Sequence, residues 1–161
     1  MLVRGVEAEV LPICERYGMG VIPWSPLAGG WLTGGYRKGQ EPPQSTRAER
    51  LPGRYDLTLP ENQAKLDAAD RLAQLAERAG ISLIHLALAF VLRHPAVTAA
   101  IVGPRTMEQL EGQLGADEVA LSDEVLDEID AIVPPGRNIS PADAGWTPPA
   151  LEHASFRRRL A

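Results

Sequence analysis

A short stretch in the second half of the chain combines residue types that could hold a phosphate group. The unbroken run of small and β-branched apolar residues over 97–102 is typical of a strand buried on both faces in a parallel sheet. Gly103 then permits a turn, Arg105 offers a planar guanidinium suited to phosphate, and Thr106 is a favourable helix N-cap. Gln109 is spaced to complete a capping box with Thr106, at a helix N-terminus that attracts anions. The alternative from these residues is an ordinary strand-to-helix turn with a surface arginine.

A second loop of interest follows an earlier apolar run over 20–24, which also predicts a buried strand. This loop contains glycine and proline and covers residues 25–32, beginning with Ser25, Pro26, Leu27, Ala28, Gly29 and Gly30. The segment 34–59 comes soon after and is rich in Gly, Pro, Arg and polar residues, with little periodicity. Such a long stretch without regular structure is typical of a lid, a binding loop or a mobile region.

The rest of the sequence supplies helices that would flank these two strands. Apolar spacing and capping residues predict helices at 6–17, 62–79, 82–93 and 122–133. The predicted apolar face of the second helix consists of Leu66, Ala69, Leu72, Ala73 and Ala76. Alternating helices and strands imply a parallel sheet. Only two convincing strands are present, however, whereas a (β/α)₈ barrel typically needs about 250 residues.

Composition limits the class of protein. A length of 161 residues suggests one domain, and 45% hydrophobic with 23% charged residues is ordinary for a soluble globular protein. The net charge of −5 argues against a nucleic-acid partner, since the one basic run, 157–159, is expected to be a solvated end. Cys14 is the only cysteine, which excludes an intrachain disulfide and fits a cytoplasmic location. Neither a membrane span nor a secretory signal is expected from the apolar runs.

The two loops and the tail together resemble the C-terminal half of an aldo-keto reductase, a TIM-barrel enzyme that uses NADPH. Residues 20–30 (GVIPWSPLAGG) resemble strand seven and its following loop, and residues 101–110 (IVGPRTMEQL) resemble strand eight and the start of helix eight. Residues 141–149 (PADAGWTPP) are similar to the end of a bacterial subgroup related to the potassium-channel β-subunit branch. The resemblance covers essentially the whole chain.

This resemblance implies a particular fold and domain organisation. The fold class is α/β, the C-terminal part of a (β/α)₈ TIM barrel with strands seven and eight and their flanking helices, incomplete as given. The barrel part is expected over 1–135, with the long loop at 34–59, and a C-terminal tail over 136–161.

The resemblance also implies an NADP(H) site built from the two loops, where TIM barrels often bind phosphate. Trp24 takes the place of an aromatic residue that stacks on the nicotinamide ring, and Ser25 and Leu27 would hold the pyrophosphate side. Arg105 would pair with the adenosine 2′-phosphate. Gly112 departs from the family pattern, because relatives carry an acidic residue there that helps to hold the adenine. The implied cofactor-binding residues are Trp24, Ser25, Pro26, Leu27, Gly29, Gly103, Arg105, Thr106, Gln109 and Gln113.

The catalytic residues of the resembled family have no counterpart in this sequence. They form a tetrad of aspartate, tyrosine, lysine and histidine in the first half of the barrel, and the tyrosine protonates the carbonyl oxygen as hydride arrives. The tyrosines and histidines of the chain lie in segments that do not match this tetrad: Tyr17, Tyr36, Tyr55, His85, His94 and His153. We therefore expect neither a catalytic residue nor a metal ligand in this chain.

Three interpretations follow. The chain could be the cofactor-binding segment of an NADP(H)-dependent reductase of aldehydes or ketones, completed by an N-terminal half that supplies the tetrad. It could instead be a nucleotide-binding module without catalysis. The third interpretation is an interaction fragment that self-associates through exposed sheet edges.

Overall fold

The computed structural model describes residues 1–145 and 147–157 of the chain. Trp146 of the predicted tail and most of the basic run at 157–159 lie outside the described residues. The α-helices are α1 (Val10–Arg16), α2 (Thr46–Arg50), α3 (Pro60–Arg78), α4 (Leu83–Leu92), α5 (Met107–Glu111), α6 (Asp123–Ile132) and α7 (Pro149–Glu152). Short 3₁₀ turns lie at Gly5–Glu7, Ala28–Gly30, Pro52–Arg54, Ala116–Glu118, Pro141–Asp143 and Ala154–Phe156.

The two segments predicted to be strands, 20–24 and 97–102, are extended and pair with each other in parallel. The Thr98 amide donates to the Val21 carbonyl at 2.9 Å, and the Ile101 amide donates to the Pro23 carbonyl at 2.9 Å. Trp24 forms a parallel bridge with Ile101, so the two segments end at the same level. The segments 20–24 and 97–102 are therefore parallel neighbours, but in the described residues they form isolated bridges and not the continuous strands that were predicted.

The hydrophobic core lies between three helices whose positions agree with the sequence prediction. Helix α3 packs against both α4 and α6. Leu72 of α3, Leu86 of α4 and Ile129 of α6 are fully buried there. The Ser82 hydroxyl accepts from the His85 amide at 3.0 Å and so caps α4 as predicted.

The buried face of α3 includes three polar residues that the sequence prediction did not place there, Asn62, Lys65 and Asp70. Asn62 and Lys65 are 1% exposed, whereas Leu66, which was predicted to be on the core face, is only partly buried. The predicted face began one helical turn too late, because it was defined by the spacing of apolar residues alone.

The prediction that 97–102 is buried on both faces is wrong. Ile22 and Ile101 are 57% and 53% exposed, and Val102 is also exposed. An apolar strand is buried on both faces only when further strands and helices cover it. In the described part of this chain no such elements cover the paired segments.

The first helix is shorter than the predicted 6–17. Helix α1 begins at Val10, after a 3₁₀ turn at Gly5–Glu7. Pro12 has no amide proton and is tolerated only in the first turn of a helix, so the regular helix cannot start much earlier. Val6 and Val10, predicted to be apolar-face residues, are exposed, and Leu11 is buried.

The segment 34–59 is more ordered than its composition indicates. The Ser45 hydroxyl caps α2 by accepting from the Ala48 amide at 3.1 Å. The Asn62 side chain donates to the carbonyls of Gly53 and Asp56 at 3.0 and 2.9 Å, which fixes the end of the segment to α3.

Residues of the predicted tail also join the N-terminal segment. Val3 and Asn138 form an antiparallel bridge, and the Ile139 amide donates to the Leu2 carbonyl at 3.1 Å. The start of the tail therefore packs with the first residues of the chain.

In the described ranges no single helix is long and apolar enough to cross a membrane. Helices α3 and α4 pass that test only as a pair, and they are bent by 96° at their break.

The packing of α3 yields a stability prediction. Leu72→Ala is expected to lower the free energy of unfolding by about 2–5 kcal/mol, because it leaves a cavity between buried neighbours. Leu114→Ala is the matched control, since Leu114 is exposed, and it is expected to change stability by less than about 0.5 kcal/mol. Urea unfolding of both variants measures this difference, and equal losses would contradict the assigned core.

Candidate cofactor site

The parallel pairing brings the two candidate loops to one edge of the sheet. Because Trp24 pairs with Ile101, the loop that begins at Ser25 and the turn that begins at Gly103 both leave the carboxyl end of their segments. In parallel α/β folds this edge is where ligands bind. The structure therefore brings together the two motifs that lie 78 residues apart in the sequence.

The first loop holds an unusual concentration of left-handed backbone. Ser25 and Ala28 have φ values of 54° and 50°, and they are the non-glycine residues with positive φ in the described part of the chain. Gly29 and Gly30 follow with φ values of 70° and 108°. Strained conformations of this kind are found preferentially at ligand-binding sites, and such turns can aim successive backbone amides at an anion.

The side chains of this loop divide between solvent and the interior. Trp24 is 67% exposed, so the face of its ring is accessible to a planar ligand. Pro26 is buried, and Leu27 packs against the core. Pro26 and Leu27 therefore fix the path of the loop through packing, and a ligand at this edge would meet mainly backbone atoms.

The second loop is capped differently from the prediction. The Thr106 hydroxyl accepts from the Gln109 amide at 3.2 Å, as the capping box requires. The Gln109 side chain, however, accepts from the amide of Arg105 at 2.9 Å instead of that of Thr106. Gln109 thus holds the backbone of Arg105 in place, which makes it a support for that residue.

The Arg105 side chain is exposed and stands beside this capped turn. In the described ranges no carboxylate forms an ion pair with it. Its guanidinium is therefore accessible to an anionic group at the same edge.

The end of α5 carries Gly112, the position at which the sequence departs from the pattern of the resembled family, and Gln113. The Gln113 side chain donates to the Gln109 carbonyl at 2.7 Å. A Cβ at Gly112 would lie 3.3 Å from the Glu108 carbonyl. Gln113 is thus positioned by the helix end, and Gly112 contributes no side chain.

A cluster of aromatic side chains packs beneath the first loop. Trp31 stacks on Tyr36 and Tyr55, with ring centroids 4.1 and 5.8 Å apart. The Tyr55 hydroxyl donates to the Gly29 carbonyl at 3.0 Å. Burial raises the pKa of Tyr55, with the positive charge of Arg47 acting against that change, so this tyrosine is a neutral donor that holds the first loop.

One buried cation completes this cluster. The Lys65 ammonium lies 4.7 Å from the Trp31 ring centroid and donates to the Arg54 carbonyl at 2.7 Å and to Asp143 at 2.9 Å. Arg54 Nε and Nη2 both lie 2.6 Å from the other Asp143 oxygen. We refer to Trp31, Arg54, Tyr55, Lys65 and Asp143 as the Lys65 cluster.

Sequence reasoning did not identify the Lys65 cluster. One signal was present, because Asn62, Lys65, Ala69, Leu72 and Ala76 share the helical spacing of one face. A charged residue on an apolar face indicates a buried partner, but no pattern in the sequence points to Asp143, which is 78 residues away.

The histidines show no catalytic arrangement in the described residues. His94 Nδ1 accepts from the Ala96 amide at 3.2 Å, which caps the turn before the second extended segment. Tyr36 and Tyr55 are buried in the aromatic cluster.

The sequence matches the model of the Aldo/keto reductase family over residues 1–134, and the chain belongs to that family. The family prediction made from the two loops is therefore confirmed, and the α/β, TIM-barrel class follows from it.

Individual relatives agree with the family match. The chain is 34% identical over 146 residues to the oxidoreductase YrpG of Bacillus subtilis, covering 91% of this chain and 42% of that protein. It is 37% identical over 131 residues to a protein of Oryza sativa described as a probable voltage-gated potassium channel subunit beta, covering 80% and 39%. The structure of a glycerol dehydrogenase from Gluconobacter oxydans superposes with a TM-score of 0.62 at 27% identity, over 80% of this chain and 38% of that one. The chain thus spans about two fifths of the length of these proteins.

The contact between Tyr55 and Gly29 yields a prediction for the first loop. A Cβ at Gly29 would lie 2.5 Å from the Tyr55 hydroxyl, on a residue whose φ is 70°. Gly29→Ala is expected to cost more unfolding free energy than the left-handed penalty of about 1–2 kcal/mol. Gly34→Ala is the control, because Gly34 has a φ of 94° and open space around its Cβ position.

Thermal unfolding of the two glycine variants, alone and with Tyr55→Phe, separates the cost of the left-handed backbone from the cost of the close approach to the Tyr55 hydroxyl. Tyr55→Phe is expected to recover part of the loss in Gly29→Ala and none of the loss in Gly34→Ala. Identical losses in both glycine variants would show that backbone strain alone, and not the close approach of Tyr55, determines the residue at position 29.

Proposed function

We propose that this chain is the cofactor-binding segment of an NADP(H)-dependent aldo-keto reductase. In this assignment 20–24 and 97–102 are strands seven and eight of a (β/α)₈ barrel, with α5 as the start of helix eight. The observation that supports the proposal is the parallel pairing of Trp24 with Ile101, after which both candidate loops leave the same edge.

The first loop suits the pyrophosphate and nicotinamide side of a dinucleotide. Its left-handed residues at Ser25, Ala28 and Gly29 turn the backbone sharply, as in anion-binding turns. The amides of Ala28 and Gly30 donate to carbonyls within the loop, so a phosphate would bind other amides of this turn. The exposed ring of Trp24 can stack on a planar group at the segment end. When bound, the nicotinamide supplies the hydride for the reduction of a carbonyl carbon.

The second loop suits the adenosine 2′-phosphate. Gly103 leaves the turn open, since a Cβ there would have no neighbour within 4 Å. Thr106 and Gln109 fix the backbone at Arg105, and the Arg105 side chain is accessible to a phosphate. Gln113 stands at the end of α5, where its amide can reach the adenosine side.

The catalytic acid comes from outside this chain in the proposed function. The tyrosines with raised pKa, Tyr36 and Tyr55, are stacked beneath the first loop, where burial keeps them neutral and away from solvent.

The substrate is a small aldehyde or ketone, and the proposed setting is the cytoplasm, without nucleic-acid or membrane partners. The segments 1–135 and 136–161 then correspond to the barrel part and the tail.

A second candidate is an interaction fragment without nucleotide binding. It is favoured by the exposed apolar residues on the paired segments, Ile22 and Ile101, which invite self-association. Size-exclusion chromatography with light scattering measures whether the chain self-associates through this apolar face. In the cofactor proposal, an N-terminal barrel half covers the same face.

A fusion protein tests the main proposal directly. The chain would be joined behind the part of the Bacillus subtilis relative that precedes its matched region, and NADPH binding would be followed by fluorescence. We expect the fusion to bind NADPH and to oxidise it with an aromatic aldehyde as probe substrate. A folded, monomeric fusion that is indifferent to NADPH would overturn the proposal.

Arg105 yields a prediction about cofactor preference. A hydrogen bond to a charged group contributes about 1.5–3 kcal/mol, so Arg105→Ala is expected to weaken NADPH binding by one to two decades. NADH binding should change little, because that cofactor has no 2′-phosphate. Arg93→Ala is the charge-matched control, since Arg93 lies before the second extended segment, at the opposite sheet edge. Equal losses for NADPH and NADH would remove Arg105 from the 2′-phosphate role.

A further inference from the structure

We infer that Asp143 and Lys65 form a latch by which the C-terminal tail holds the 34–59 segment against the first candidate loop. The latch itself is argued from geometry alone. Its expected effect on cofactor release rests on the proposed function. The latch consists of the Lys65 cluster defined above.

The charges of the cluster show why the tail is required. Lys65 is 1% exposed and Arg54 is partly buried, and both cations share the single carboxylate of Asp143, which is 10% exposed. Burial lowers the pKa of Lys65, and its hydrogen bond to Asp143 acts in the opposite direction. Removing one partner of a buried ion pair leaves the other charge uncompensated, which is strongly destabilising. Without Asp143, the Arg54 carbonyl would therefore be the one polar partner left to the buried ammonium among residues 1–145 and 147–157.

The cluster joins four separate parts of the chain. Lys65 belongs to α3, Arg54 and Tyr55 belong to the 34–59 segment, and Asp143 belongs to the tail. Trp31 directly follows the 3₁₀ turn Ala28–Gly30 of the first loop. The Lys65 ammonium lies over the rings of Trp31 and Tyr55, at 4.7 and 5.9 Å from their centroids. Displacement of the tail therefore disturbs the position of Tyr55 and its neighbours.

Tyr55 transmits this position to the candidate cofactor loop. Its hydroxyl donates to the Gly29 carbonyl at 3.0 Å, in the loop with left-handed backbone. The Arg47 guanidinium reaches the same place, because its Nη1 would lie 3.4 Å from a Cβ on Gly29. Asp143 thus holds Arg54 and Lys65, and together with the bonds from Asn62 to the Gly53 and Asp56 carbonyls it keeps Tyr55 and Arg47 over Gly29. Asp143 and Lys65 are positioning residues, since neither lies in the candidate loops themselves.

Limited trypsin digestion tests the latch without any cofactor. Cleavage after Arg47 and Arg50 reports opening of the 34–59 segment, and cleavage after Arg71 in α3 reports general unfolding. The ratio of these two rates, followed by mass spectrometry, is compared between the parent chain and Asp143→Asn. We expect Asp143→Asn to raise the ratio at least fivefold.

Two further variants keep the test decisive. Glu128→Gln removes the same charge from an exposed ion pair between Glu128 of α6 and Arg78 of α3, outside the 34–59 segment, and it should leave the ratio unchanged. Lys65→Met keeps the apolar stem among the aromatic rings but removes the ammonium, and it should raise the ratio as Asp143→Asn does. If cleavage after Arg71 rises in step with cleavage after Arg47, or if Glu128→Gln behaves like Asp143→Asn, the latch is refuted.

A second readout connects the latch to cofactor release in the fusion protein. Asp143→Asn is expected to accelerate NADPH dissociation in stopped-flow fluorescence severalfold, with Glu128→Gln unchanged. Unaltered dissociation in Asp143→Asn would refute the effect on the cofactor loop. A parent fusion that does not bind NADPH would count against the proposed function, whereas the trypsin ratio decides the latch independently.

Discussion

The parallel pairing of two short extended segments is the constraint on which the candidate site depends. Backbone bonds from Thr98 to Val21 and from Ile101 to Pro23 set their register, so that both segments end together. Every residue that follows, from Ser25 in one loop and from Gly103 in the other, therefore emerges at one edge. A shift in register would separate the two loops.

The two loops are held by different physical means. The turn at Arg105 is local, because its geometry depends on hydrogen bonds within five residues, from Thr106 and Gln109. The loop at Gly29 depends instead on contacts distant in sequence, through Tyr55 and the Lys65 cluster. One loop therefore forms wherever helix α5 forms, whereas the other requires the 34–59 segment and the tail to be in place.

The sequence predicted the local features of this structure and missed the distant ones. Helices α3, α4 and α6 were found because apolar spacing and serine caps are local signals, and the resemblance of the two loops identified the family. The exposure of Ile101 and the burial of Lys65 were not predicted, since each depends on whether distant parts of the chain pack over the residue. The partner of Lys65 is Asp143, and no periodicity relates residues 78 positions apart. Pro12 was a local signal for the late start of α1 that the helical spacing obscured.

Amide chemical shifts of the isotopically labelled chain test most directly whether both loops contact one dinucleotide. Titration with 2′,5′-ADP, which carries the adenosine end alone, should shift the amides of residues 103–109 and 113 and leave residues 25–29 unchanged. Titration with NADP⁺ should shift both sets with the same dissociation constant. Shifts confined to one set with NADP⁺, or two sets that saturate with different constants, would contradict the account of a single site shared by both loops.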